Sequence, residues 1–200
     1  MNIERPVNVT HLSHYYGKRK ALSDVSFTVK TSELFGLLGP NGGGKTTLFQ
    51  ILCTMLRPSE GVVCIFGYDV VSQPSAVRCR IGVVFQSQNL DRKLTARENL
   101  RHQGHFYGMR GKRLEAQIDL LLEQVGLLDE ANARIEIFSG GQKRRVEITK
   151  GLLHSPELLL LDEPSTGLDP GARRALWDYL EQIRQSTGVT ILLTTHFLEE

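Results

Sequence analysis

The sequence has 200 residues and nearly balanced charge, with 24 Lys and Arg against 22 Asp and Glu and a net charge of +2. This length suits one α/β domain with a substantial core, and the charge argues against a nucleic-acid binder that relies on bulk electrostatics. No apolar run approaches the roughly 18 residues of a membrane span, and three widely spaced cysteines indicate reduced thiols in a soluble, cytosolic protein rather than disulfides or a metal site.

The first segment of the chain is predicted to form β-strands. Residues 7–16 and 25–30 alternate apolar and polar positions, as half-buried antiparallel strands do, and residues 17–20 lie between them as a turn. Residues 34–38 are apolar on both faces of a third predicted strand. Because such a pattern is typical of strands inside a parallel sheet, we expect this strand to be central.

A glycine-rich loop, Gly-Pro-Asn-Gly-Gly-Gly-Lys-Thr-Thr at residues 39–47, leads from this strand into a helix predicted over 45–56. Glycines let backbone N–H groups converge on phosphate oxygens, and the helix N-terminus favours an anion at the same point. Lys45 can reach terminal phosphates, and the Thr46 hydroxyl can bind Mg²⁺. The alternative is a glycine-rich turn that matches the pattern by chance, but the flanking strand and helix favour a phosphate site.

The middle of the chain changes from strands to helices. Strands are predicted over 61–66 and 81–85, with a short helix over 74–80 between them. Apolar spacing over 95–125 is helical, with a capping box at its start and Gly126 as the predicted C-cap.

A second glycine motif, Phe-Ser-Gly-Gly-Gln at residues 138–142, precedes a helical run to Leu153. Ser139 can cap that helix, and the paired glycines expose its N-terminal amides. Considered alone, the motif is either a second anion-binding terminus or simply a good N-cap.

Four leucines at 158–161 lead into Asp162 and Glu163, two adjacent acids at the end of a predicted buried strand. Such acids are costly unless a ligand or metal uses them, and ligands bind at strand C-termini in open α/β sheets. In a phosphate site, Asp162 would hold Mg²⁺ through water, opposite Thr46, and Glu163 would polarise the attacking water. The alternative is an ordinary strand end with solvated acids.

After this strand, the apolar spacing predicts a helix over 170–185 and a last strand over 189–193.

Taken in order, these motifs resemble the ATP-binding cassette (ABC) ATPase family, and the resemblance covers about residues 9–200. The most specific motif is Ser-Gly-Gly-Gln just upstream of the acidic strand, because other P-loop proteins do not carry it. The motifs that carry the resemblance are Gly39–Thr47, Gln86, Ser139–Gln142, Leu158–Pro164, Ser165–Asp169 and His196.

The resemblance implies an α/β fold: a P-loop NTPase core with a mostly parallel sheet and helices, an antiparallel β subdomain and an inserted α-helical subdomain. The core would comprise about residues 1–94 and 154–200, and the helical subdomain about 95–153, within one ATPase domain over 1–200. The family continues past the matching histidine with further structure, so the C-terminal end is expected to be missing here.

The resemblance also implies roles for individual residues in binding ATP and Mg²⁺. The catalytic set is Glu163, which activates water, with His196, Gln86 and Lys45. The Mg²⁺ set is Thr46, Gln86 and Asp162. Tyr16 is preferred over Tyr15 for stacking on adenine, a contact that also tolerates GTP. The nucleotide-contacting set is Tyr16, Gly39, Pro40, Asn41, Gly42, Gly43, Gly44, Lys45, Thr46, Thr47, Ser139, Gly140, Gly141, Gln142 and Asp169.

The function implied is that of a transporter's ATPase subunit. Two copies would form a head-to-tail dimer in which Ser139–Gln142 of one subunit contact the nucleotide of the other, with Asp169 linking the two sites. A separate integral membrane permease would be driven from the cytoplasmic face of the cell membrane, and no nucleic-acid partner is expected. Residues 196–200 and 90–107 look similar to exporter ATPases for drugs, lipids or polysaccharides.

Two alternative functions are a non-transport ABC ATPase that acts on ribosomes or DNA and a nucleotide-binding regulator without catalysis. ABC ATPases that act on ribosomes carry two cassettes in one chain, and those that act on DNA insert a long coiled coil, whereas this chain has one cassette and no room for the insertion. A nucleotide-binding regulator without catalysis would be expected to lack Glu163 or His196, and both are present.

The sequence departs from the family pattern at two positions. Gly43 stands where Ala or Ser is usual, and Phe138 stands where Leu is common. Neither removes a donor, acid or hydroxyl, so we infer an active site.

Overall fold

The computed structural model describes residues 5–196, which form two four-stranded sheets with helices packed against them. The strands are β1 (Val7–Tyr16), β2 (Arg19–Val29), β3 (Leu34–Leu38), β4 (Glu60–Ile65), β5 (Tyr68–Asp69), β6 (Ile81–Val84), β7 (Leu158–Asp162) and β8 (Thr190–Thr195). The helices are α1 (Lys45–Leu52), α2 (Pro74–Arg78), α3 (Ala96–Phe106), α4 (Gly111–Gln124), α5 (Gly140–Leu152) and α6 (Pro170–Thr187).

One sheet is antiparallel in the order β2-β1-β4-β5, and the other is parallel in the order β3-β8-β7-β6. Strand β7 is buried along its whole length because both faces of the sheet are covered there. Its leucines alternate between the two faces, as successive residues of a strand do. Leu159 and Leu161 join the core formed with the later helices, and Leu158 and Leu160 join the core formed with α1 and the antiparallel sheet. The predicted α/β class, with a parallel sheet, an antiparallel sheet and helices, is confirmed.

The predicted central position of β3 is wrong, because among residues 5–196 it lies at the edge of the parallel sheet and pairs with β8. Its apolar pattern has another cause. Leu34 packs against one core, whereas Phe35 and Leu37 pack against the other, where Phe35 stacks on Phe27 with ring centroids 5.3 Å apart. Apolar residues on both faces of β3 therefore indicate that both faces pack against a core, at least in part. They do not indicate whether a neighbouring strand lies on each side.

Helix α1 ends at Leu52, four residues before the predicted end, because the chain turns left-handed at Thr54 with φ 61°. The N–H of Thr54 bonds to the carbonyl of Ile51 and that of Met55 to Gln50, which is the Schellman arrangement normally supplied by glycine. Arg78 Nε donates to Thr54 Oγ1 over 2.7 Å. Threonine rarely adopts this left-handed conformation, so the sequence does not indicate that the helix ends before Thr54. The predicted end of α1 was therefore too late.

The predicted helical run over 95–125 is two helices. The capping box at Thr95 and Glu98 is confirmed, and Gly126, with φ 65°, follows the end of α4. Helices α3 and α4 pack so closely that a Cβ on Gly104 would lie 2.4 Å from Leu114 Cδ1. Both contact α5, and the division of the chain into a core and a helical subdomain remains our proposal from this packing.

Candidate functional site

An open cavity of about 490 Å³ lies where the glycine loop meets the C-terminal ends of the parallel strands. Its size falls within the range of small-ligand sites, and its place at the strand ends is the one expected for an open α/β sheet. The lining residues are Tyr16, Arg19, Ala21, Pro40, Asn41, Gly42, Gly44, Lys45, Thr46, Thr47, Gln86, Glu163, Thr166 and His196.

The glycine loop takes its shape from backbone conformations that need glycine. Gly44 precedes the first residue of α1 with φ 86°, and a Cβ there would lie 2.4 Å from the carbonyl oxygen of Ala21. Gly42 has φ 80° but open space around it, and the Gly43 N–H donates to the Pro40 carbonyl over 3.1 Å. The loop therefore curls tightly at the N-terminus of α1, where backbone N–H groups favour an anion.

Lys45 lies inside the loop with its ammonium group facing the acidic strand end. Its Nζ donates to the carbonyls of Gly39 over 2.5 Å and Pro40 over 3.2 Å. The same nitrogen lies 3.3 Å from Glu163 Oε1, and the two side chains are only 11% and 8% exposed. A cation is thus held between the loop that would bind phosphates and the predicted base.

Glu163 is held by several contacts in a left-handed conformation, φ 47°, which is uncommon for a residue with a side chain. Its backbone N–H donates to the carbonyl of Thr194 over 3.1 Å and to the Thr194 hydroxyl over 3.0 Å. Its Oε2 lies 2.5 Å from Nδ1 of His196, and Thr166 Oγ1 donates to it over 3.4 Å. Such locally strained backbone is characteristic of functional sites.

Asp162 ends β7 and is 5% exposed. Its Oδ1 accepts a hydrogen bond from Thr194 Oγ1 over 2.6 Å. Burial raises the pKa of this carboxyl above its ordinary value, while the bond from Thr194 opposes that rise. Unlike Glu163, Asp162 is not among the residues that line the cavity.

The predicted Mg²⁺ set fits that ion, because a hydroxyl, an amide oxygen and a carboxylate are the oxygen donors that Mg²⁺ prefers. Thr46 and Gln86 line the cavity, and the buried position of Asp162 suits binding through water, since Mg²⁺ retains several waters in protein sites. Within residues 5–196, there is no group of three or more His, Cys, Asp or Glu side chains that could hold a metal by themselves.

Tyr16 and Gln86, which the sequence predicts to contact the ligand, both line the cavity. Tyr16 is 49% exposed, and its ring forms a T-shaped contact with His14 at a centroid distance of 4.8 Å. Tyr15, the alternative to Tyr16, is not among the lining residues, and neither is Gln88, which lies two positions after Gln86. A half-exposed aromatic ring at the rim suits stacking on a base.

Eight predicted residues are not among those that line this cavity. Gly39 and Gly43 belong to the glycine loop itself, and Asp162 lies buried at the end of β7. The other five are the four residues of the motif at 139–142 and Asp169. Ser139 and Gln142 form a reciprocal capping box at the start of α5. Asp169 Oδ1 caps α6 by accepting from the Ala172 N–H over 2.9 Å. A Cβ on Gly141 would lie 3.0 Å from Ala172 Cβ, so these two helix N-termini lie side by side.

Arg19, Ala21 and Thr166 line the cavity but were missed. Residues 17–20 were predicted to be a turn, whereas β2 begins at Arg19. Because strand residues alternate between faces, Arg19 and Ala21 share one face, and a correct strand start would have placed them together. Thr194 was missed because the last strand was predicted to end one residue before it.

Comparison with known families gives a match to the ABC transporter model over residues 22–166. A second model, described as an AAA domain, putative AbiEii toxin, Type IV TA system, matches residues 148–198. These matches cover the glycine loop in the first case and β7, α6 and β8 in the second.

Two similar curated proteins are named Nod factor export ATP-binding protein I. The protein of Rhizobium meliloti (strain 1021) is 44% identical over 194 residues, which are 97% of this chain and 58% of that protein. The protein of Bradyrhizobium diazoefficiens is 44% identical over 185 residues, or 92% of this chain and 60% of that protein. The chain thus spans about three fifths of the length of these relatives.

Solved structures with similar folds include cbiO1 from Clostridium perfringens, part of the ABC transporter complex cbiONQ. It matches with a TM-score of 0.87 and 29% identity over 97% of this chain and 79% of that one. The ADP conformation of an ATP-binding cassette of an ABC transporter matches with a TM-score of 0.89 and 25% identity, over 97% and 82% of the two chains.

Proposed function

This chain belongs to the ABC transporter family, and from that premise we propose that it binds and hydrolyses ATP to power a transporter. The observation that carries the proposal is the convergence of Lys45, Glu163 and His196 on one cavity beside the glycine loop. Hydrolysis of ATP requires positive charge at the phosphates and a group that positions water. Lys45 and the loop amides supply the first, and Glu163 with His196 supplies the second.

In the proposed reaction a water molecule attacks the γ-phosphorus of ATP. The bond from that phosphorus to the oxygen shared with the β-phosphate breaks, and ADP and inorganic phosphate leave. Glu163 accepts the proton of the attacking water, and His196, which contacts Glu163 Oε2, donates to the γ-phosphate. Lys45 exchanges its contacts with the Gly39 and Pro40 carbonyls for phosphate oxygens.

Thr46, Gln86 and Asp162 would hold Mg²⁺, which neutralises phosphate charge when it is bound. Tyr16 would stack on the base, a contact that discriminates poorly between purines. Arg19, on the same rim of the cavity, would add positive charge near the nucleotide.

A second copy of the chain completes the site in this proposal. The motif at 139–142 does not line its own cavity, and Gly140 at the start of α5 is exposed. An exposed helix N-terminus with two glycines suits an anion from another molecule. We propose a head-to-tail dimer in which this terminus meets the γ-phosphate held by the partner, with Asp169 at the adjacent helix start.

The proposed partner in transport is a separate integral membrane permease. No helix within residues 5–196 is long and apolar enough to cross a membrane. Relatives named for Nod factor export support an exporter, with this chain acting in the cytoplasm at the inner face of the cell membrane. The permease would select what is transported.

The experiment that tests this function has two readouts. Purified protein should release phosphate from ATP in a Mg²⁺-dependent reaction whose rate rises more than proportionally with protein concentration, since two chains form each site. Tagged protein should recover an integral membrane protein from detergent-solubilised membranes. Recovery with ribosomes in place of a membrane protein would contradict the transport role and leave the ATPase role standing.

A further inference from the structure

A buried ion pair on α5 lies outside the cavity lining, yet its contacts reach the cavity from two sides. Arg144 and Glu147 are each 5% exposed, and Arg144 Nη1 lies 3.0 Å from Glu147 Oε2. A buried pair of this kind is weak evidence for stability, because desolvation of both charges offsets their attraction. Its other hydrogen bonds show what it holds in place.

Arg144 binds the backbone on both sides of the predicted base. Its Nε donates to the Pro164 carbonyl over 2.8 Å, and its Nη2 donates to the Asp162 carbonyl over 3.2 Å. These carbonyls belong to the two residues that flank Glu163, whose backbone is left-handed. The planar guanidinium bridges these two carbonyls and so supports the uncommon backbone conformation between them. A lysine ammonium at the same position could not reach both carbonyls in this way.

The same pair holds the segment that carries Gln86. Arg144 Nη1 donates to the Phe85 carbonyl over 2.8 Å, and the Asn89 N–H donates to Glu147 Oε1 over 2.6 Å. Lys150 Nζ, one turn further along α5, donates to the Asn89 carbonyl over 2.8 Å. Gln86 itself is exposed. Both ends of residues 85–89 are thus attached to α5.

We propose that Arg144 and Glu147 are a positioning pair that makes Glu163 and Gln86 move with the N-terminus of α5. Ser139, the N-cap of that helix, is five positions before Arg144, so the two lie on one rigid element. The inference rests on the proposed function in one respect: in the dimer, Ser139 meets the nucleotide of the partner. Binding at one site would then adjust the base and the Gln86 segment of the other.

The kinetic test replaces the pair with apolar residues of similar size, in an Arg144→Met/Glu147→Leu double variant. Such replacements are often neutral for stability, so we expect cooperative thermal unfolding within a few degrees of the wild type. ATP affinity should be unchanged, since neither residue lines the cavity. The value of kcat should fall about 10- to 100-fold, as small misplacements of catalytic groups do, while KM changes less than threefold.

Arg144→Lys is the conservative variant, because it keeps the charge beside Glu147 but cannot bridge the carbonyls on both sides of Glu163. We expect it to fold and to show the same loss of kcat, and it carries the kinetic test if the double variant unfolds. Glu181→Gln is the matched control, since Glu181 forms an i,i+3 pair with Arg184 on α6 outside the cavity and should keep wild-type kcat. A wild-type kcat in Arg144→Lys would overturn the proposal.

Amide hydrogen exchange without nucleotide separates this proposal from the proposed function. The Asn89 amide should exchange about tenfold faster in Glu147→Leu, because it loses its acceptor. A wild type that binds ATP without hydrolysing it would refute the proposed function, and the exchange result would still decide the positioning role. Unchanged exchange at Asn89 would overturn the positioning role whatever the ATPase result.

Discussion

The hydroxyl of Thr194 donates a hydrogen bond to Oδ1 of Asp162 over 2.6 Å, between paired residues of the adjacent strands β8 and β7. The same hydroxyl accepts from the Glu163 N–H over 3.0 Å. One buried side chain on the neighbouring strand therefore orients the predicted Mg²⁺-binding acid and the backbone of the predicted base. Thr194 lies opposite Asp162 because of the register in which β7 and β8 pair.

Thr194→Val should raise the Mg²⁺ concentration needed for half-maximal ATP hydrolysis. The variant keeps the side-chain shape but removes the donor to Asp162, whose pKa burial already raises, so ionising that acid becomes harder still. A lost hydrogen bond at a buried acid costs about 1–3 kcal/mol, which corresponds to an increase of roughly 5- to 150-fold. Thr190→Val, at the other end of β8, removes a buried hydroxyl that accepts from Ser32 and should leave the Mg²⁺ requirement unchanged.

Glu163→Gln should abolish turnover while ATP binding persists. The amide keeps the shape of the side chain but cannot accept the proton of water, and loss of a general base typically lowers kcat about 10²- to 10⁴-fold. We expect the variant to accumulate as an ATP-bound dimer, detectable by light scattering after size exclusion. Glu157→Gln, just before the same strand, is the control. Normal turnover in Glu163→Gln would rule out its assignment as the base.

Lys45→Ala should weaken ATP binding itself. The ammonium group lies among the Gly39 carbonyl, the Pro40 carbonyl and Glu163, and a charged hydrogen bond contributes about 1.5–3 kcal/mol. Affinity measured by titration calorimetry should fall roughly 10- to 100-fold. The exposed Lys112 on α4 provides the control as Lys112→Ala. If affinity were the same in both variants, the loop would not be the phosphate site.

Gly44→Ala should be more damaging than Gly42→Ala, although both glycines have left-handed backbone. At Gly42 the added methyl group meets open space, so only the conformational cost of about 1 kcal/mol applies. At Gly44 it would also lie 2.4 Å from the Ala21 carbonyl oxygen, and β2 or the start of α1 must shift. Thermal unfolding and ATP affinity compare the two variants, and equal effects would contradict the packing.

His154 should make the protein less stable at mildly acidic pH. Burial lowers the pKa of this imidazole below its ordinary 6.5, and its ring stacks on Tyr107 with centroids 3.8 Å apart. Because the unfolded chain then binds a proton more readily than the folded one, stability is full above pH 6.5 and falls as pH decreases from there towards the lower folded value.

His154→Phe keeps a stacking ring and should flatten this dependence between pH 5 and 7, as measured by chemical denaturation. The exposed His102 offers the control, since His102→Gln should leave the slope unchanged. A wild-type slope in His154→Phe would show that another group is responsible.

Local patterns predicted most elements and the position of the glycine loop between β3 and α1. Glycines with left-handed backbone, an N-capping serine and a run of leucines each act through contacts within a few residues, so the chain order of the motifs was enough to find them. Two features of the fold give no such local signal. Thr54 ends α1 in a conformation that glycine usually adopts, and the two-faced apolar pattern of β3 could not distinguish an edge from a centre.

The relationships that build the site come from tertiary structure. Lys45 and Glu163 are 118 positions apart and meet only because β3 and β7 both pair with β8 in one parallel sheet. Thr194 and Arg144 are not among the residues that the sequence predicted for the site, because their partners there lie 18 to 59 positions away along the chain. The types of group available for chemistry can be read from local sequence, because they depend on side chains and turns. Which groups face one another depends on strand register and helix packing, which join residues far apart along the chain.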